Sequence, residues 1–154
     1  MMPTDNPGYL LHHLSFVLDR QSDNFLQERL GIGFSQLKIL MALKWHEGVR
    51  QKQIADHLGQ TEASISRQIK LMQDDGLLHS RISSQNRREH LTILSAKGIK
   101  IADEAMELLN AYHSPMFDRL SENQQRNLAD ILSIMHEHTC QSGKPGSCNH
   151  KWNN

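Results

Sequence analysis

Two glycines, Gly59 and Gly76, bracket the stretch that most limits what this chain can fold into. Each follows an apparent helix end (Leu58 and Asp75), and glycine readily takes the left-handed conformation that closes a helix. Between them, Thr61 is placed to cap a new helix by accepting a backbone N–H bond. Ile65, Ile69 and Met72 then recur at four- and three-residue spacing and form one apolar stripe, core by default. The opposite face carries Glu62, Ala63, Ser64, Ser66, Arg67 and Lys70. It is small and hydrogen-bonding near its start and basic further along, which suits a helix N-terminus inserted into a groove of DNA. Upstream, Gln53 to Leu58 reads as a short helix with Ile54, Ala55 and Leu58 turned inward. Two short helices joined through Gly59 and Gln60 make a helix-turn-helix.

The next residues extend that unit. Leu77 to Ile82 is short and strand-like, Ser83 to Arg88 is polar and turn-rich, and Glu89 to Ile93 alternates again as a second strand. A hairpin with a basic tip therefore follows the recognition helix directly, as a wing. Leu94-Ser95-Ala96-Lys97-Gly98 starts another helix with Ser95 as its cap.

This order of motifs resembles the MarR family of winged helix-turn-helix regulators. The resemblance rests on Ser64-Ile65-Ser66-Arg67, then Gly76-Leu77, then paired arginines at the wing tip, then the Leu-Thr/Ser-x-x-Gly signature at Leu94 to Gly98. Gln36 and Leu40 stand where the family has its Gln-x-x-x-Leu pattern, and the likeness covers roughly residues 9 to 138. One departure lies in the wing. The family's Asp-Pro-x-Asp-Arg-Arg is here Ser83, Ser84, Gln85, Asn86, Arg87 and Arg88, and Asn86 can hydrogen-bond an arginine but cannot ion-pair with it. The resemblance implies a dimer built from the N-terminal helix and the last two helices. It also implies small anionic aromatic effectors bound between those helices and the DNA-binding lobe.

Charge supports contact with nucleic acid only once it is located. The formal net charge is zero, yet residues 50–100 hold nine lysines and arginines against five acids, a local +4. A basic centre between acidic ends is what a localised phosphate-binding face requires. Arg67, beside Ser64 and Ser66, is expected to touch phosphate or a base edge rather than merely solvate a helix. Arg87 and Arg88 are expected to reach the backbone or minor groove. The expected DNA-binding set is Thr61, Ala63, Ser64, Ser66, Arg67, Lys70, Arg87 and Arg88. Glu62 is assigned to the helix macrodipole rather than to cytosine reading.

The flanks read as helices. Tyr9 to about Glu28 carries Leu10, Leu14, Val17 or Leu18, and Phe25 near one face, and Phe34 to Trp45 carries a broad apolar stripe. Ala96 to about Tyr112 is a long helix that Ser114-Pro115 should break or kink. Ser121 and Gln124 open a last helix in capping-box register, ending near His138. The expected fold is mainly α with a small β-hairpin wing: a winged helix-turn-helix with N- and C-terminal dimerisation helices. Its segments are an N-terminal dimerisation helix and linker at 1–33, the DNA-binding lobe at 34–95, C-terminal dimerisation helices at 96–138 and a tail at 139–154. Aromatic content of only 5% and hydrophobic content of 38% fit a chain that hides apolar surface in a subunit interface.

The histidines and cysteines are less committed. His57, His79 and His90 are read as surface residues of the lobe. His12, His13 and His113 are placed to line the cleft, although scattered polar positions on amphipathic helices remain the plainer reading of each. The tail gathers His136, His138, Cys140, Cys148 and His150. Cys140, Cys148, His138 and His150 offer a tetrahedral N/S set for zinc, and Cys140 with Cys148 a redox pair, against the plainer reading of an inert tail. No apolar run of membrane length and no signal peptide are evident, so a cytoplasmic protein is expected. No phosphate-binding glycine loop, nucleophile elbow or zinc-protease helix suggests an enzyme. The function expected is a dimeric, sequence-specific DNA-binding regulator, a repressor acting on a pseudo-palindromic operator and responsive to a small ligand, metal or oxidant. The alternative is a winged-helix protein-interaction module that never meets DNA; the basic residues converging on one face argue against it.

Overall fold

The computed structural model of the chain describes residues 5–44, 46 and 48–140. Its elements run α1 (Pro7–Leu30), α2 (Phe34–Lys44), α3 (Gln51–Leu58), α4 (Glu62–Asp74), β1 (Leu78–Ile82), β2 (His90–Leu94), α5 (Ala96–Phe117) and α6 (Glu122–Thr139). The boundaries follow from side chains that satisfy helix ends. Asn6 caps α1, accepting the Tyr9 N–H at 3.0 Å, with Pro7 in the first turn where a missing N–H costs nothing. Ser121 and Gln124 close a reciprocal capping box on α6.

α2 lies at the centre of the core, with Leu37, Ile39, Leu40, Ala42 and Leu43 all buried. A helix apolar nearly all round must be surrounded, and α1, α3, α5 and β2 pack about it. Its start is fixed from a distance: Phe34 N–H donates to Asp23 Oδ1 of α1 at 2.8 Å. α3 and α4 contribute Ile54, Ala55, Ile65, Ile69 and Met72 to the same core, and α5 contributes Ala102, Ala105 and Leu109.

The hairpin is antiparallel, with Leu78 opposite Leu94 and Ile82 opposite His90. Val49 adds an isolated antiparallel bridge to β2 by exchanging two backbone bonds with buried Thr92, at 3.1 and 2.7 Å. The short extended segment before α3 thus anchors the wing to the helix-turn-helix.

Pro115 departs from the expected break. α5 runs through it to Phe117. The proline sits in the final turn, so it forfeits one N–H bond near a water-exposed end, and its fixed φ is already helical. Asp118 then closes the turn, donating its N–H to the Ser114 carbonyl at 2.9 Å. α6 carries no buried residue. No described helix is long and apolar enough to cross a membrane.

Candidate nucleic-acid interface

The candidate site is the outer face of α4 together with the wing tip. α4 begins where Gly59, at φ 63°, ends α3 in the left-handed conformation. Thr61 Oγ1 accepts the Ser64 N–H at 3.2 Å, so the predicted cap is made and that oxygen is partly committed. Ile65, Ile69 and Met72 bury the inner face, and Ala63, Ser66, Arg67 and Lys70 are exposed together on the outer one. Ser64 is placed differently from its neighbours. It is half-buried, donates its hydroxyl to Gln60 Oε1 at 3.3 Å and lies 3.4 Å from Gln68 Nε2, which also donates to Gln60 at 2.9 Å.

Gln60, Ser64 and Gln68 therefore form a polar seam that ties the turn to α4. The sequence reading took Gln60 only as part of the turn and did not single out Gln68. For Gln68 the four-residue spacing from Ser64 was the available signal, since such positions share a helix face.

The wing tip is built by small polar side chains. Ser83 Oγ accepts the N–H groups of Gln85 and Asn86, each at 3.3 Å, and Asn86 Oδ1 accepts the Arg88 N–H at 3.1 Å. Asn86 thus bonds an arginine backbone, not a guanidinium. Arg87 and Arg88 are both exposed, and among the described residues neither carries an ion pair. Beside the tip, Arg50 Nη1 stands 3.2 Å from Glu89 Oε1, a link between the N-cap of α3 and the residue before β2 that sequence reasoning also missed.

The exit of α4 meets the entry of α5. Gly76, at φ 73°, turns the chain. Ser95 Oγ caps α5 by accepting the Gly98 N–H at 2.9 Å and donates to the Gly76 carbonyl at 2.6 Å, while Ser95 N–H donates to the Leu77 carbonyl at 3.0 Å. Lys97 Nζ donates to the Asp75 carbonyl at 2.7 Å. A Cβ on Gly98 would stand 2.1 Å from the Leu77 carbonyl oxygen, so the last glycine of the Leu-Ser-x-x-Gly signature is required by close backbone approach.

Elsewhere, an open hollow of about 420 Å³ between α1 and α2 is lined by residues that include Phe16, Arg20, Asp23, Phe34 and Lys38. His12, His13 and His113 do not line it. His113 instead pairs with buried Ser22 at 3.1 Å, joining α5 to α1. In the tail, His138 lies in the last turn of α6 and Cys140 is its C-cap; Cys148 and His150 lie outside the described residues. Among the described residues, no three histidine, cysteine or acidic side chains are grouped to hold a metal.

Residues 30–89 match the MarR family model. An uncharacterized HTH-type transcriptional regulator of Bacillus cereus is 22% identical over 122 residues, covering 79% of this chain and 80% of the relative. Apo MarR from E. coli superposes with a TM-score of 0.76 at 18% identity, covering 84% of this chain and 96% of that one. MepR of Staphylococcus aureus in complex with DNA gives 0.73 at 22% identity, covering 86% and 98%. CouR from Rhodococcus jostii RHA1, bound to p-coumaroyl-CoA, gives 0.75 at 20% identity, covering 88% and 94%.

Proposed function

We propose that this chain is a MarR-family winged helix-turn-helix transcriptional regulator, a homodimeric repressor that binds a pseudo-palindromic operator and is released by a small ligand; the match of residues 30–89 to the family model and the HTH-type relative support the reading. On this reading the chain acts by binding DNA rather than by catalysis.

The observation that carries the reading is the division of α4. One face is sealed into the core, while Ala63, Ser66, Arg67 and Lys70 stand exposed on the other, beside a wing whose Arg87 and Arg88 are uncommitted. Thr61, at the helix start, and Ser64, through the glutamine seam, set the geometry of that face. Small side chains at the helix start let the backbone approach base edges closely, and the cations neutralise phosphates. The DNA complex of MepR supports the same use of this fold.

Dimerisation is supported by apolar surface that one chain leaves open. Leu10, Leu11 and Leu14 on α1, and Leu128, Ile131, Leu132, Ile134 and Met135 on α6, are all exposed, Ile134 at 68% and Ile131 at 55%. So many large apolar side chains exposed on two helices are unusual on a monomer, and burying them at about 25 cal/mol per Å² favours a stable pair. A twofold dimer sets two recognition helices about 34–36 Å apart, one DNA turn.

Ligand release is supported by the hollow beside α1 and α2 and by the ligand-bound form of CouR. Zinc or oxidant sensing through Cys140, Cys148, His138 and His150 is a separate input, decided by metal analysis and thiol counting on untagged protein. The primary test is a DNA-binding titration against salt with an operator selected from random sequence. A steep fall in affinity with salt is expected, and weak binding with no sequence preference overturns the reading.

A further inference from the structure

We propose that Lys97 is a positioning residue for DNA reading: with Ser95, it seats the first turn of α5 on the C-terminus of the recognition helix and so fixes that helix's tilt. The inference rests on the DNA-binding reading above and adds a residue outside the DNA-facing surface of α4.

Three consecutive carbonyls at the exit of α4, those of its C-cap Asp75 and of Gly76 and Leu77 just beyond, are all taken by the start of α5. Asp75 O accepts from Lys97 Nζ at 2.7 Å, Gly76 O from Ser95 Oγ at 2.6 Å and Leu77 O from Ser95 N–H at 3.0 Å. The last-turn carbonyls of Leu71, Met72 and Gln73 are taken by the N–H groups of Asp75, Leu77 and Gly76, so the carbonyls that follow need partners from outside the helix or water.

The electrostatics explain why a lysine is used. The C-terminal end of a helix carries partial negative charge and favours a cation in its last turn. α4 has no basic residue there and ends instead on Asp74 and Asp75. That mismatch is relieved from outside the helix, by the Lys97 ammonium. The side chain is exposed, so it fills no core space, and its contribution is the bond and the charge.

The contact is also too close to slide. With Gly98 pressed on the Leu77 carbonyl, α5 cannot shift toward α4, and the three bonds oppose its shifting away. α4 and the start of α5 therefore move as one unit, and α5 leads on to α6, one of the two helices that carry the exposed apolar residues. A displacement of α5 reaches the recognition helix through this contact.

The test compares the full-length wild type with Lys97→Met and Lys97→Arg, against an operator selected by the wild type and a scrambled duplex, across a salt series. Methionine keeps most of the stem but loses the ammonium; arginine can still donate to Asp75 O. Lys97→Met is expected to bind the operator about three- to tenfold more weakly, the range for one lost hydrogen bond. Its affinity for scrambled DNA and its salt slope should stay at wild-type values, and Lys97→Arg should restore operator binding. A salt slope reduced by about one unit, with both duplexes weakened alike, would show that Lys97 touches phosphate directly and would overturn the positioning role. Unchanged operator affinity in Lys97→Met overturns it as well. A wild type that selects no operator defeats the DNA-binding reading itself.

Discussion

Replacing Gly98 by alanine tests the packing logic of the whole lobe with one methyl group. The added Cβ would stand 2.1 Å from the Leu77 carbonyl oxygen and 3.1 Å from its carbon. A tolerable carbon–oxygen contact is about 3.3 Å, so α5 must withdraw by about 1.2 Å. That movement stretches the bonds of Ser95 to Gly76 and Leu77, now 2.6 and 3.0 Å, beyond useful range. Losing two such bonds costs about 1 kcal/mol each, and imperfect repacking adds a comparable amount. Alanine's better helix propensity returns up to about 1 kcal/mol. The net expectation is a loss of about 1–3 kcal/mol, or roughly 3–10 °C in thermal midpoint for a chain of this size. Thermal and urea unfolding at one fixed protein concentration measures it, since association contributes to the midpoint. Gly76→Ala is the control: it sits at φ 73° with nothing within 4 Å, so its cost is backbone strain alone, about 1–2 kcal/mol. A Gly98→Ala protein as stable as the wild type would refute the close-approach argument.

Three further outcomes are expected. Arg67→Ala should keep the wild-type fold, because the side chain is exposed, yet lose about 1–3 kcal/mol of discrimination between operator and mutated sites; operator titrations check this, and equal discrimination removes Arg67 from the readout. Arg87→Ala with Arg88→Ala should weaken binding to many sequences nearly alike and flatten the salt slope by about two units at most, so an unaltered slope would show that the tip stays off DNA. Leu132→Asp on α6 should give monomers by light scattering with much weaker operator binding, since both half-sites must be held at once; a wild-type dimer in that variant removes α6 from the interface.

What could be read from the sequence was local. Thr61, Ser95 and Ser121 cap the helices expected of them because a hydroxyl at a helix start serves N–H groups three residues on, whatever the tertiary context. Gly59 and Gly76 end helices in the left-handed conformation for an equally local reason. Pro115 misled because a proline's cost depends on how much helix follows it, and here only Met116 and Phe117 do. Contacts between distant residues carried no sequence signal. Lys97 on Asp75 and Arg50 on Glu89 span 22 and 39 positions and depend on how the elements dock. Nor did an inward or outward direction follow from residue type for Ser64, which shares the hydroxyl of Ser66 but turns toward Gln60.

The wing shows how a missing carboxylate changes the charge an interface presents, and Asn86→Asp tests it. In this chain the tip is shaped by neutral acceptors, Ser83 Oγ and Asn86 Oδ1, which bind backbone N–H groups and leave both guanidiniums unneutralised. An aspartate at position 86 can accept the same Arg88 N–H, now as a charge-assisted bond roughly twice as strong. Its second oxygen can then pair with a guanidinium of Arg87 or Arg88. Two effects of opposite sense follow. The tip should stiffen, seen as slower hydrogen exchange at Arg88 and Glu89. The local charge available to phosphate should drop by one, seen as a salt slope shallower by up to about one unit. Rigidity and affinity would then be separable: tighter operator binding at high salt with weaker binding at low salt means that both effects operate. If exchange and slope both match the wild type, the residue at position 86 does not engage the wing arginines, and the neutral tip confers no added charge on the DNA-facing surface.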